Sequence, residues 1–355
     1  MAIGILLSGI AFYFSFKNIP FGELLHHAGS INYRWILPAT AACFADFILS
    51  AVRWRMILES TGKISFQTAY HATMTALIVN CVLPGRAGEI ARPLIIYRQE
   101  RVPLSVGMAS VIVEGIFDII LLLLFFTVFL YFFQIDPDFQ IRFGDMRLNA
   151  ATLDTVAKNM LKLCLTLIFG IILISLGKTR NHVTGVIKRI PDFVWFANSD
   201  LKQKIRAQLC NPLLNIVENF AAGFSLLRNV RKICLCVLLT VAIWLLTALF
   251  YYIAAAGCSG ISLSFPEMIA VMIIISFFIS LPSVPGFWGL WEAGGIFAMS
   301  LFGIEAGDAA GFALVSHLIY ILPVILAGFI SAIPTGVRFF RISEYVSSGT
   351  IQKGL

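Results

Sequence analysis

The chain has 355 residues, of which 59% are hydrophobic and 13% are charged, and its formal net charge is +7. This composition lies outside the range of soluble domains and predicts an all-α polytopic membrane protein. Apolar runs extend almost from end to end, so no soluble catalytic domain of ordinary size fits, and we expect a single integral membrane domain over residues 1–355. The basic residues cluster beside membrane segments, which favours cytoplasmic loops facing anionic lipids over nucleic-acid binding.

Six apolar stretches are candidate transmembrane helices. They are Ala2–Phe16, Trp35–Leu58, Val102–Phe133, Val156–Leu176, Lys232–Ala256 and Ala309–Ile333. The first stretch lacks a basic n-region and a small-x-small cleavage pattern, so we expect a short membrane span there rather than a cleaved signal peptide.

Two further apolar regions are each interrupted once by proline and glycine. The first, 66–97, is broken at Pro84-Gly85, and the second, 265–302, is broken within 282–289. If the first region crossed the membrane fully, the basic residues at one of its ends would lie outside, against the positive-inside rule. We therefore predict two re-entrant broken-helix hairpins rather than two pairs of spans.

The distribution of charge also predicts the topology. The loop 134–155 is nearly neutral and is expected outside, whereas the segment 177–231 is basic and amphipathic and is expected on the cytoplasmic membrane surface, as a connector or as a lipid-gathering surface. The flanks of the second hairpin, 257–264 and 303–308, contain no lysine or arginine, so this hairpin is expected to enter from outside. Both termini would then be cytoplasmic in an inner membrane. The hairpins would form an inverted repeat, unless the recurrence of Pro-Gly-x-x-Gly is a coincidence.

Charged side chains inside membrane segments are functional-site candidates, because a charge in the bilayer is costly. The candidate substrate-binding residues are Asn80, Arg86, Glu89, Arg92, Glu114, Asp118 and Glu292. The candidate hinge residues are Pro84, Gly85, Gly88, Pro285, Gly286 and Gly289. The histidines are scattered and the cysteines have no metal-site spacing, so we predict no catalytic residues, no metal site and no cofactor.

The residue types at the first break suggest a phosphate-binding pocket that faces the cytoplasm. Arg86 and Arg92 can each hold a phosphate through two guanidinium donors, and the helix that restarts at Gly88 would offer free N–H groups. Glu114 and Asp118 are spaced i, i+4 and share one helix face. Two close carboxylates repel each other unless a cation, a proton or an arginine lies between them. The pair therefore either interacts with a substrate or forms an ion pair with Arg92 that stabilises the hairpin.

The aromatic residues at the second break leave two interpretations open. Phe287, Trp288 and Trp291 form either an interfacial belt or the lining of a path for an acyl chain or a sugar. Asp46 and Arg53 lie two turns apart on one helix face, and we expect this pair to serve packing. His317 adds a titratable group to the last span.

Four groups of residues resemble one known family. They are Arg53-Trp54-Arg55, the stretch from Asn80 through Leu83-Pro84-Gly85-Arg86-x-Gly88-Glu89-x-x-Arg92, Glu114 with Asp118, and Pro285-Gly286-x-x-Gly289-x-x-Glu292. In family order and over nearly the whole chain, they resemble the lysylphosphatidylglycerol synthase transmembrane region, also called the flippase-like domain. The chain departs from the family pattern at Gly115, where relatives often have an arginine, and at His317, which stands at a basic position of the last span.

The resemblance implies a lipid flippase that moves a phospholipid or a lipid-linked amphiphile between leaflets, and not an enzyme. We expect the membrane domain alone, without a synthase domain. Its partners would be membrane lipids with anionic or aminoacylated headgroups. The alternative, from another functional class, is a non-catalytic scaffold or accessory subunit for a lipid-modifying or glycan-building enzyme, with a separate synthase or transferase as its partner.

Overall fold

A computed structural model of the chain describes residues 2–17, 22, 29, 31–59, 62–132, 140–143, 146–149, 155, 158–166, 168–169, 177–193, 198–214, 229–281 and 283–336. Within these ranges the protein is built almost entirely from helices. The α-helices are α1 (Ala2–Phe16), α2 (Ile36–Leu58), α3 (Phe66–Val82), α4 (Gly88–Glu100), α5 (Leu104–Phe132), α6 (Gly177–Phe193), α7 (Ser199–Ile205), α8 (Val230–Ala256), α9 (Phe265–Ser280), α10 (Leu290–Ser300) and α11 (Ala306–Thr335). Short 3-10 turns occur at Tyr33–Trp35 and Pro285–Phe287, and a π-helical turn at Arg206–Cys210.

Four helical stretches of the described chain are long and apolar enough to cross a membrane. They are Tyr33–Leu58, Leu104–Phe129, Val230–Ala256 and Ala306–Thr335. They coincide with four of the predicted spans, although the last one begins at Ala306 rather than Ala309 and ends at Thr335 rather than Ile333. The prediction of an all-α membrane protein is thereby confirmed.

The two other predicted spans are shorter or only partly described. Helix α1 has the predicted bounds, but its 15 residues extend for about 22 Å, less than the ~30 Å hydrocarbon core. Of the predicted span 156–176, residues 158–166 and 168–169 are described, and they are helical.

Both broken regions form two short helices that fold back on each other. The longest of these four helices, α3, has 17 residues, or about 26 Å, so each of them is shorter than the ~30 Å hydrocarbon core. Gly88, the first residue of α4, lies directly against the carbonyl group of Ala76 in α3. Gly294 of α10 lies in the same way against Phe278 of α9. The chain therefore reverses at each break. The first hairpin ends at Glu100, beyond the predicted residue 97.

The two breaks have the same local backbone conformation. In the first, Gly85 and Arg86 both adopt positive φ angles, of 75° and 56°. In the second, Gly286 and Phe287 do so too, with φ angles of 73° and 61°. Each Pro-Gly-x sequence therefore makes the same left-handed turn. Along the chain, each hairpin is also preceded and followed by a long helix, α2 and α5 in one case and α8 and α11 in the other, so the order of elements is repeated.

The described chain forms two compact units. The first contains residues 1–53, 65–99 and 239–355, and the second contains residues 54–64 and 100–238. Both hairpins, α1 and α11 belong to the first unit, apart from the last residue of α4. The prediction of a single membrane domain over 1–355 stays a prediction.

Helix α11 organises the first unit because both hairpins pack along it. The base of the first hairpin lies at the C-terminal end of α11, where the Gln99 Nε2 donates a hydrogen bond to the carbonyl of Pro334 at 2.8 Å. The base of the second hairpin is joined to the N-terminal end of α11 by the short turn 301–305. The tips approach each other between these ends, where the Arg86 Nη2 donates to the carbonyl of Ile279 at 3.0 Å. The hairpins thus enter from opposite ends of α11, as an inverted repeat requires.

The second unit has its own buried contacts. The Trp54 indole, which is fully buried, donates to the Ser110 hydroxyl at 3.0 Å. The Arg55 Nε donates to the carbonyl of Ile64 at 2.9 Å and so closes the loop before α3. These contacts fix the C-terminal turn of α2 against the start of α5.

The loop 134–155 contains more structure than the sequence indicated, whereas the described part of the amphipathic segment 177–231 is helical. In the loop, strands β1 (Gln140–Phe143) and β2 (Met146–Asn149) pair antiparallel, with Gln140 opposite Asn149. The period-two pattern is too short to be recognised beside long apolar helices. In the segment, α6, α7 and the π-helical turn account for the three- to four-residue spacing of its apolar side chains.

Candidate functional site

The second break is held by a buried histidine from α11. The Nε2 of His317 lies 2.8 Å from the carbonyl oxygen of Gly286, and its Nδ1 lies 2.6 Å from Oε1 of Glu292. The other carboxylate oxygen of Glu292 accepts a hydrogen bond from the Gly289 N–H at 2.7 Å. His317 and Glu292 are 1% and 0% exposed, so water does not compete for these contacts. The two side chains therefore clamp the turn from Gly286 to Gly289.

The geometry fixes how many protons the clamp holds. A carbonyl oxygen only accepts hydrogen bonds, so the Nε2 of His317 must carry a proton. At 2.6 Å, one further proton must lie between Nδ1 and the Glu292 carboxyl group, on one side or the other. The pair is then either imidazolium with carboxylate or imidazole with carboxylic acid, and in both cases it is neutral as a unit. A buried neutral pair avoids the cost of an isolated charge in the membrane.

Two tryptophans enclose the imidazole of His317. The Trp291 ring stacks on it with centroids 4.7 Å apart and an interplanar angle of 7°, and the Trp288 ring lies 4.4 Å away at 42°. The Trp291 indole also donates to the Ser316 hydroxyl at 3.3 Å. Trp291 is buried rather than at a lipid interface, so the interfacial-belt interpretation does not apply to it.

Helix α1 completes the surroundings of the second break. The Val284 N–H donates to the Ser8 hydroxyl at 3.1 Å. Gly289, with a φ angle of 85°, lies directly against the carbonyl of Ser8, where a side chain would collide. Gly4 packs in a similar way on the backbone of Ser283. The break is therefore surrounded by protein on the α1 side.

The first break is built differently. The side chain of Asn80 is buried and accepts a hydrogen bond from the Gly88 N–H at 2.8 Å, so it caps the start of α4. Glu89 and Arg92 form an i, i+3 ion pair with an N–O distance of 3.6 Å; the Arg92 side chain is 9% exposed and that of Glu89 is 42% exposed. Arg86, at the tip, contacts Ile279 as described above. Asn80 thus has a capping role within the turn that the sequence alone did not indicate.

The two carboxylates of α5 belong to the other unit. Glu114 is buried and Asp118 is half-buried. Both lie on one face of a continuous helix, as their spacing predicted. Gly115, between them, has no atom of a described residue near the position that a side chain would occupy.

A pocket opens beside the clamp. It is lined by Cys43, Asp46, Leu246, Thr247, Phe250, Tyr251, Trp291 and Tyr320. The Thr247 hydroxyl donates to Oδ1 of Asp46 at 3.2 Å. Two turns away, the buried Arg53 donates to the Thr240 hydroxyl at 3.0 Å. Both contacts join α2 to α8, which run antiparallel, so Asp46 and Arg53 each contribute to helix packing, and Asp46 also faces a cavity.

Metal ions are held by clusters of His, Cys, Asp and Glu side chains. In the described part of the chain, no group of three or more of these side chains is placed to hold a metal ion. The polar groups at the second break instead form hydrogen bonds with one another.

Sequence reasoning located both breaks and named Glu292, Pro285, Gly286 and Gly289 of the clamp. It did not join His317 to Glu292, because 25 residues and a helix reversal separate them. One sequence feature could have suggested this contact: Glu292 and His317 are both titratable and lie in adjacent apolar segments after the second break. The Asp46 pocket was missed as well, because its walls come from α2, α8, α10 and α11.

The amino-acid sequence is similar to those of two known proteins and matches one family model. Over 306 residues, covering 82% of both chains, the protein is 24% identical to the UPF0104 membrane protein MJ1595 of Methanocaldococcus jannaschii. Over 120 residues it is 28% identical to glycosyltransferase AglD of Haloferax volcanii, which covers 33% of this chain and only 19% of that protein. The family model described as "Lysylphosphatidylglycerol synthase TM region" matches residues 1–328. The chain therefore belongs to the lysylphosphatidylglycerol synthase transmembrane-region family, as its motifs and its paired hairpins suggested.

Proposed function

We propose that the protein moves a phospholipid or a lipid-linked amphiphile between the leaflets of the inner membrane, with both termini in the cytoplasm. The observation that carries this proposal is the meeting of two broken hairpins that enter from opposite ends of α11. Transporters with inverted repeats place their sites near the membrane midplane between such discontinuous helices. Two contacts support the proposal: Arg86–Ile279 joins the two hairpins, and Glu292–His317 lies at the break of the second hairpin.

The residues at the tips have chemistry that suits a polar headgroup. Arg86 uses its Nη2 for the Ile279 carbonyl, and a guanidinium has five N–H donors, so it can bind an anionic oxygen at the same time. Arg92, paired with Glu89 on the next turn, would extend a phosphate site. Glu114 and Asp118 would balance charge or carry protons. In this proposal the glycines of the two Pro-Gly turns allow the hairpins to shift.

The test is a lipid-movement assay with the purified protein in liposomes. Fluorescent analogues of phosphatidylglycerol, phosphatidylethanolamine and aminoacylated phosphatidylglycerol are placed in the inner leaflet, and their arrival in the outer leaflet is measured by dithionite quenching. Arg86→Ala should slow movement by at least about tenfold, since one charge-assisted hydrogen bond contributes roughly 1.5–3 kcal/mol. Arg98→Ala is the matched control, because Arg98 is an exposed arginine in the same hairpin. No movement above protein-free liposomes for any of these lipids would contradict the proposal.

The similarity to part of a protein named a glycosyltransferase favours one second candidate. In this case the protein is a non-catalytic accessory subunit for a glycan-building or lipid-modifying enzyme. Co-purification of membrane partners separates the two candidates. Glu89→Gln and Arg92→Ala should release the partner from an accessory subunit, whereas a translocator with these changes should keep its partners and lose lipid movement.

A further inference from the structure

We propose that the pocket beside Asp46 binds a primary ammonium group. The proposal rests on the proposed function and deepens it, because it names the headgroup chemistry that this part of the site accepts. Asp46 lies near the middle of α2, Thr247 near the middle of α8 and Tyr320 near the middle of α11. The pocket is therefore deep within the helical layer, where a polar ligand needs matched partners.

The charge of the pocket favours a cation. Among the described residues that line it, Asp46 is the charged one. A carboxylate can accept about four hydrogen bonds, and the Asp46 carboxylate accepts one of them from the Thr247 hydroxyl. An ammonium group has three donors and no acceptor and complements this surface, whereas a phosphate would be repelled.

The aromatic walls favour an organic cation. The Trp291 ring lies 5.2 Å from the Tyr320 ring and 5.6 Å from the Tyr251 ring, measured between centroids. Cations bind over the faces of aromatic rings, and tryptophan is the strongest partner. A carboxylate beside several aromatic rings is a common arrangement for binding amines, whereas inorganic divalent ions prefer clusters of oxygen ligands.

The size of the pocket selects among amines. Its cavity measures about 30 Å³. One water-sized group needs about 10–15 Å³ on this scale, so the cavity holds about two such groups. An ammonium nitrogen with its first methylene fits that space. A trimethylammonium group, with four carbon neighbours around its nitrogen, does not fit unless the pocket opens.

The pocket shares a wall with the clamp of the second break. Trp291 lines the pocket with one part of its ring system and stacks on His317 at 4.7 Å. An ammonium bound beside Asp46 would thus contact a side chain that packs directly on the Glu292–His317 pair. Through Trp291, binding of an ammonium group in the pocket would influence the position of the tip of the second hairpin.

The experiment measures binding by the full-length protein in detergent with isothermal titration calorimetry. Dihexanoyl phosphatidylethanolamine is compared with dihexanoyl phosphatidylcholine, which differs from it by three N-methyl groups. We expect the primary amine to bind at least roughly tenfold more tightly, and Asp46→Asn to reduce this preference to about twofold or less. Asp46→Glu should keep a clear preference. Glu305→Gln, at an exposed carboxylate before α11, is the matched control and should bind like the unaltered protein.

The outcomes separate the possible sources and the two proposals. Displacement of the short lipid by ethylammonium chloride supports a site open to soluble amines, and failure to displace it supports a site for the lipid headgroup. Equal affinity for the two lipids in the unaltered protein, or an unchanged preference in a correctly folded Asp46→Asn protein, overturns the ammonium site. If Asp46→Asn does not fold, the comparison of the two lipids and the Asp46→Glu variant still decide. Lipid movement without the amine preference would overturn this site alone, and the amine preference without lipid movement would overturn the proposed function alone.

Discussion

The Nδ1 of His317 lies 2.6 Å from Oε1 of Glu292, in a place that neither water nor lipid reaches. Because the Nε2 of the same ring donates to the carbonyl of Gly286, the imidazole cannot rotate without breaking two hydrogen bonds. One histidine therefore fixes both the turn of the second hairpin and the first turn of α10.

Removing either member of this pair should destabilise the protein strongly. His317→Ala leaves the buried Glu292 without the imidazole that shares its proton, and removing one member of a buried, hydrogen-bonded titratable pair costs about 3–5 kcal/mol. His71→Ala is the control, since His71 contacts the Ser331 hydroxyl at 3.1 Å in a half-buried position and should cost less. Thermal unfolding of the purified protein measures both. The double variant Glu292→Gln with His317→Ala should lose less stability than the sum of the single changes, and simple additivity would contradict a direct coupling.

Gly88 and Gly115 should respond oppositely to substitution by alanine. A methyl group on Gly88 would collide with the Ala76 carbonyl and the Asn80 side chain, so we expect a loss of about 1–3 kcal/mol. Gly115 lies in the middle of α5 with no described atom within 4 Å of a new methyl group. Alanine there should be neutral or stabilising by up to ~1 kcal/mol, because it has the higher helix propensity. Unfolding in increasing concentrations of denaturant distinguishes the two, and equal losses would contradict the close packing of the first hairpin.

The inverted hairpins predict labelling from opposite faces of the membrane. Gln67 is exposed near the base of the first hairpin, and Glu305 is exposed near the base of the second. In a variant without native cysteines, Gln67→Cys should react with a membrane-impermeant maleimide only from the cytoplasmic face and Glu305→Cys only from the outer face. Oriented vesicles and permeabilised vesicles provide the comparison. Reaction of both cysteines from one face would remove the inverted arrangement.

Cys258 should be a slow nucleophile at neutral pH. It follows the end of α8, and burial, together with the nearby Asp308 carboxylate, raises the pKa of its thiol to about 11. The reactive thiolate is therefore scarce, and alkylation by iodoacetamide should rise about tenfold per pH unit up to that pKa. At pH 8 the rate should be at least ~100-fold below that of an unperturbed thiol. Mass spectrometry of the peptide containing Cys258 measures it. Asp308→Asn should speed the reaction, since it removes the charge that opposes the thiolate.

Most of the helices could be predicted because the length of an apolar run is read directly from consecutive residues. Both breaks were predicted as well, since proline and glycine interrupt a helix wherever they stand. The contacts that close the site were not predictable in the same way. Which residue of α11 meets Glu292 depends on the packing of three helices, and only the folded chain brings His317 to it.

The first break illustrates a different limit. Asn80 is one of the predicted substrate-binding residues, and a polar side chain in an apolar helix needs a hydrogen-bond partner. In the structure that partner is the backbone of Gly88, eight residues further on, which a helix reversal brings close. The need for a partner could be read from the residue type, but the identity of the partner could not.

The contact between the two hairpin tips has a mechanical consequence. The hydrogen bond from Arg86 to the Ile279 carbonyl comes from an exposed side chain, and such a bond contributes only about 1–1.5 kcal/mol net. The hairpin bases are held by more than one contact. At the C-terminal end of α11 the Gln99–Pro334 bond is joined by contacts of His71 with Ser331 and of Thr75 with Thr335, and at the other end a covalent turn joins α10 to α11. If the hairpins move as we propose, the tips would therefore separate at a lower free-energy cost than the bases.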